Sequence, residues 1–96
     1  MIVIRGTYLA SIEDVDVVRG DHVSWIGEHI ASGAVIAAGR TTPPDGSVLL
    51  FSGSDSGAAL LLLGDDPYVT AGVAEYRVEA VFTPVVHAHG FEQFAS

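Results

Sequence analysis

The spacing of apolar residues along this chain switches repeatedly between two and three-to-four, and that succession of periods limits the fold more than any other feature. Ile2 to Leu9 alternate, with Ile2, Ile4, Gly6 and Tyr8 on one face and Val3, Arg5, Thr7 and Leu9 on the other. This predicts a first strand rich in β-preferring residues. Ser11 can cap a turn at Ile12-Glu13-Asp14, and from Asp14 to about Ser32 the positions Val15, Val18, His22, Ile26 and Ile30 recur at spacings of three and four. That predicts one amphipathic helix closed by Gly33.

Val35 to Arg40 and Ser47 to Ser52 are short apolar runs flanking Thr41-Thr42-Pro43-Pro44-Asp45-Gly46, which reads as a hairpin with a long loop. Ser54 and Asp55 offer cap oxygens to a second helix through Ala58 to Leu63, stopped by Gly64. Pro67 suits the first position of a short helical turn to Gly72, capped by Asp65 or Asp66. A last strand is expected from Glu75 to about Val85, with Tyr76, Val78, Ala80 and Phe82 sharing a face. The order β-α-β-β-α-β predicts an α+β, ferredoxin-like domain: a four-stranded antiparallel sheet with two helices on one face. The chain reads as a single domain over 1–96, with its core within about 1–86 and a C-terminal tail from 87 to 96.

One sheet face is left uncovered, and 49% of the 96 residues are hydrophobic. A domain of this size buries only about 60–65% of its unfolded surface. We therefore expect a homodimer that covers the open face. A formal charge of −8, with four arginines and no lysine, excludes a phosphate-binding footprint and hence nucleic acid as a partner. With no cysteine there is no disulfide, thiolate catalysis or Cys-ligated zinc. The apolar run from Ala58 to Leu63 falls far short of the roughly 18 residues of a membrane span. Met1-Ile2-Val3-Ile4-Arg5 carries no basic segment before an apolar one, so a cytoplasmic location is expected.

His22 follows Val18 by four and precedes Ile26 by four, which points its imidazole toward the sheet. It is either a buried histidine satisfied by main chain or a general acid/base. Asp65-Asp66 before Pro67 needs only one carboxylate as a cap. The other is then free to orient an imidazole and fix its tautomer. Without a serine or cysteine nucleophile, such a pair suits proton abstraction next to a carbonyl, elimination or double-bond migration. Arg40 and Arg5 are candidates to hold a substrate carboxylate, against the competing reading of ion pairs with the twelve acids. Tyr68 and Tyr8 are candidates to line a pocket, and Gly39 to let a ligand approach the strand backbone. His87-x-His89 forms half a metal site, but no third ligand has a matching spacing, so no metal is expected. Ser52-Gly53-Ser54-Asp55-Ser56-Gly57 lacks the lysine of a phosphate loop and reads as a turn into a helix.

Arg19-x-x-His22, Ala37-Ala38-Gly39, Asp66-Pro67-Tyr68 with Ala71-Gly72, Ala74-Glu75-Tyr76-Arg77-Val78 and Phe82-Thr83-Pro84 together resemble the YciI-like (YCII-related) family. The resemblance runs from the first strand to near residue 90. It implies a ferredoxin-like fold that dimerises as an α/β barrel, with a His and an Asp as the active-site pair at the positions of His22 and Asp66. Where many relatives have Ala-Gly-Pro, this chain has Ala38-Gly39-Arg40, which implies a different ligand. Members resemble dehydrochlorinases of aromatic catabolism and, more distantly, muconolactone isomerases.

Residues and resemblance together predict a cofactor-free enzyme acting on a small anionic or aromatic metabolite. His22 and Asp66 would form its acid/base pair, with Arg40, Tyr68, Gly39 and Arg5 at the substrate. The alternative is a non-catalytic ligand-binding or dimerisation module, in which His22 would be packed against main chain.

Overall fold

The computed structural model describes residues 1–94. Its elements are β1 (Ile2–Tyr8), α1 (Ile12–Val17), α2 (Arg19–Ala31), β2 (Val35–Arg40), β3 (Gly46–Phe51), α3 (Ser56–Leu63), α4 (Pro67–Thr70) and β4 (Ala74–Val81), with a 3₁₀ turn at Phe91–Phe94. The strands pair antiparallel in the order β2-β3-β1-β4. This is the ferredoxin-like α+β arrangement that the apolar periods predict.

Period-two alternation gives the sheet two unlike faces. Ile2 and Ile4 of β1 and Leu49 and Phe51 of β3 are buried with Ile26, Val35, Ala59 and Leu63, forming the main core under the helices. A smaller cluster of Val15, Tyr68 and Ala74 lies beside it, under Tyr8, Val18 and Val73. On the opposite face Val3, Arg5, Val48 and Leu50 alternate with the core residues, and among the described residues no helix covers them. Among the described residues no helix is long and apolar enough to cross a membrane.

The single long helix expected from Asp14 to Ser32 is two helices. Ser11 caps α1 by accepting the Asp14 N–H at 3.2 Å. The chain then leaves helical geometry at Val18 (φ −104°, ψ 4°) before resuming. The break preserves the three-and-four spacing, so the apolar stripe alone does not reveal it. Its effect is to send Val15 into the smaller cluster and Ile26 into the main core, with His22 at the seam between them. Gly33 ends α2 at φ +87°, a left-handed conformation that favours glycine.

The last strand is also shorter than expected, ending at Val81 rather than near Val85. Its faces are interrupted by a bulge: Val78 pairs with Ile4, but the next β1 residue, Val3, pairs with Ala80. The extra residue, Glu79, turns the alternation over. Tyr76 and Val78 therefore face the helices, whereas Ala80 lies opposite Val3 on the uncovered face. The four residues read as sharing one face are divided between two.

Candidate active site

One row of residues crosses all four strands on the helix-facing side: Arg40 of β2, Ser47 of β3, Gly6 of β1 and Tyr76 of β4. Its centre must be glycine. A Cβ at Gly6 would collide with Ser47 Oγ and come within 2.8 Å of the Tyr76 ring. The missing side chain lets a hydroxyl and a phenol from the flanking strands converge below α2 and α4.

Above this row sits the Asp66 carboxylate, fully buried. Its Oδ1 accepts the Tyr68 N–H at 3.0 Å, capping α4, and also meets His22 Nδ1 at 2.8 Å. Its Oδ2 accepts the Tyr76 hydroxyl at 2.5 Å. Capping and pairing were assigned above to separate aspartates, yet Asp66 performs both, because a carboxylate has lone pairs enough for several donors. Asp65 is exposed. Burial, reinforced by the bond to Asp66, pushes the Tyr76 phenol well above its ordinary value.

A carboxylate only accepts hydrogen bonds, so Nδ1 of His22 carries the proton of this contact, and in the neutral imidazole Nε2 is the nitrogen that holds the lone pair. The imidazole stacks on Tyr68, with ring centroids 3.7 Å apart and planes 6° from parallel. Tyr8 meets Tyr68 edge-on, with ring centroids 5.8 Å apart. Burial pushes the Tyr68 phenol upward. Held by the carboxylate at one nitrogen and by a ring across its face, His22 has little rotational freedom.

His22, Tyr68, Tyr8, Arg40 and Gly39 all border a cleft of about 310 Å³ between α2 and the strands β2 and β3. Val23, Ile26, Ile30 and Leu49 supply much of its wall. Such a largely apolar concavity with a few placed polar groups is typical of small-molecule sites. Arg40 is already engaged: Nη2 donates to Asp16 at 2.6 Å and Nε to the Tyr8 hydroxyl at 3.0 Å. The Asp16 carboxylate is the main cause holding its guanidinium above the usual value. Arg5 lies on the other sheet face and pairs with Asp45 at 3.0 Å, away from this cleft. His29 packs on Trp25 (4.3 Å between centroids), and His87 and His89 are exposed beyond β4. Sequence reasoning missed Tyr76 and Ser47, although the alternation of their strands already turns both toward the helices.

Removal of the Tyr76 hydroxyl in Tyr76→Phe leaves Oδ2 of Asp66 buried without its donor, at an expected ~1–3 kcal/mol of stability. The sign of the pH effect follows from the raised phenol. Its contribution is complete below the unfolded tyrosine value of about 10 and is lost as pH climbs from there toward the folded value. Urea unfolding from pH 8 to 11 should therefore show the wild type losing up to ~1.4 kcal/mol per pH unit from this residue, with that component absent in Tyr76→Phe.

Comparison with known proteins bears on this geometry. The family model of the YCII-related domain matches residues 2–81. Among solved structures, the chain is similar to 5-chloro-2-hydroxyhydroquinone dehydrochlorinase from Burkholderia phenoliruptrix, in complex with 2,5-dihydroxybenzoquinone. The TM-score is 0.68 at 16% identity, with 88% of this chain and 96% of that chain covered. At that identity the likeness is one of fold. No curated protein matches the sequence.

Proposed function

The chain belongs to the YCII-related domain family, and from that premise we propose that it is a small-molecule enzyme using His22 as general acid/base and Asp66 as the carboxylate that orients it. The observation carrying this reading is the 2.8 Å contact between His22 Nδ1 and a fully buried carboxylate, made beside a cleft that His22 borders. A purely structural histidine would be expected against main chain, whereas this ring spends one nitrogen on a side-chain carboxylate and keeps the other.

The chemistry this favours is proton transfer. Nε2 takes a proton from a hydroxyl or an activated C–H, and the electron pair of that bond drives out a leaving group or shifts a double bond. Asp66 stabilises the imidazolium that results. The ring can then return the proton. Base, carboxylate and apolar walls supply what this step needs, and no cofactor enters it. The fold neighbour, named for dehydrochlorination and bound to a dihydroxybenzoquinone, supports a planar, oxygen-bearing ring as substrate. The stacked Tyr68 and the aliphatic walls suit such a ring better than a carboxylate clamp does, because Asp16 already neutralises Arg40. On the same reading the uncovered face, with Val3, Val48 and Leu50, is where a second copy packs to form a homodimer.

The test is ¹⁵N-resolved NMR of the histidine side chains, with His22 assigned by His22→Gln. The expected result is a neutral ring protonated at Nδ1, whose proton exchanges slowly with water. A His22 protonated at Nε2, or one exchanging as freely as His87, would remove the base and hand the cleft to the binding-module alternative.

A further inference from the structure

Several polar groups around the cleft already have partners. Arg40 is bonded to Asp16 and Tyr8, Tyr8 accepts from Arg40, and Nδ1 of His22 meets Asp66. Ser47 Oγ is buried, in a residue only 5% exposed, and has no hydrogen-bond partner among the described residues. Ser47 borders the cleft, and its neighbour across β1 is the glycine that keeps the space beside its hydroxyl clear. The Tyr76 phenol on the far side of that glycine donates to Asp66; the Ser47 hydroxyl lies near enough to draw the phenol pKa slightly downward but makes no hydrogen bond of ordinary geometry to it.

Burying a hydroxyl without a partner is destabilising, and alanine would fill the position without that penalty. One reason for a native structure to keep such a group is that a ligand supplies the missing bond. We propose that Ser47 is a substrate-binding residue whose hydroxyl hydrogen-bonds an oxygen substituent of a small planar ring seated in the cleft. The proposal rests on the reading of the cleft as a substrate site and adds a specificity to it. The ring must carry a hydroxyl or carbonyl oxygen directed at the strand floor, and an analogue with methyl in that place should be rejected by comparison.

The experiment uses two probes of the same shape, 1,4-dihydroxybenzene and 1,4-dimethylbenzene, titrated into wild type and Ser47→Ala and followed by ¹H–¹⁵N NMR at the cleft residues. Ser47→Ala should weaken the dihydroxy probe about tenfold, the worth of one neutral hydrogen bond, and leave the dimethyl probe unchanged or tighter. Without any probe, Ser47→Ala should melt at a higher temperature, because an unpaired hydroxyl has been removed. Equal effects on both probes, no effect on either, or a lowered melting temperature would overturn the role of Ser47 while leaving the cleft as a site. If neither probe perturbs the cleft of the wild type at millimolar concentration, the substrate-site reading falls and this assignment falls with it.

Discussion

Asp66→Ala is expected to lower the stability of the fold by ~3–5 kcal/mol, the largest loss from any single side chain outside the apolar core. The carboxylate is fully buried and collects three donors from three elements: the Tyr68 N–H of α4, the imidazole of α2 and the phenol of β4. Losing the cap costs ~1 kcal/mol. Leaving a half-buried phenol and a half-buried imidazole N–H unpaired adds up to ~1–3 kcal/mol each, less whatever water recovers. These sums are not strictly additive, because the donors share one acceptor group. Asp66→Asn keeps the shape and one oxygen for the cap and the ring, and should lose roughly half as much. Urea unfolding of both variants at neutral pH is the measurement. A loss of under about 1 kcal/mol in Asp66→Ala would mean that the three donors are satisfied without the carboxylate, and the site would not be the tie between helices and sheet described here.

That tie explains which parts of the site could be read from the sequence. The partners His22 and Asp66 were legible because each obeys a local rule: the histidine occupies an apolar stripe, and the aspartate precedes a proline at a helix start. Each rule concerns near neighbours, and each survives in the structure. The third partner, Tyr76, was not found, because its meeting with Asp66 depends on how α4 is laid over β4. The row Arg40–Ser47–Gly6–Tyr76 is likewise a product of register across four strands. Alternation in β1 does separate Arg5 from Gly6, and so places Arg5 with Asp45 on the open face. The break at Val18 left little mark, since no proline stands there, Gly20 falls inside α2 rather than at the break, and the stripe continues through it. The bulge at Glu79 was equally silent, and a one-residue insertion reverses every later side chain.

Once a substrate is in hand, His22→Gln should reduce kcat/KM by ~10²–10⁴, the usual contribution of a positioned general base. Glutamine retains a polar side chain of similar reach but cannot take a proton. The fall should therefore appear in kcat, with KM little changed. Asp66→Asn, assayed well below its melting temperature, still offers an oxygen to the Nδ1 proton but no longer a charge to the imidazolium. A charge-assisted bond is worth ~1–2 kcal/mol more than a neutral one, so about a tenfold fall is expected. The two residues act as one unit, and the double variant should be no slower than His22→Gln alone. Halide release from chlorinated dihydroxybenzenes, followed with a chloride electrode, provides the assay. If His22→Gln stays within about threefold of the wild type on a substrate that the cleft turns over, proton transfer by this ring is not the chemistry. The stacked His22 and its carboxylate would then serve only to hold α2 and α4 over the sheet, a role that the stability of Asp66→Ala already measures by itself.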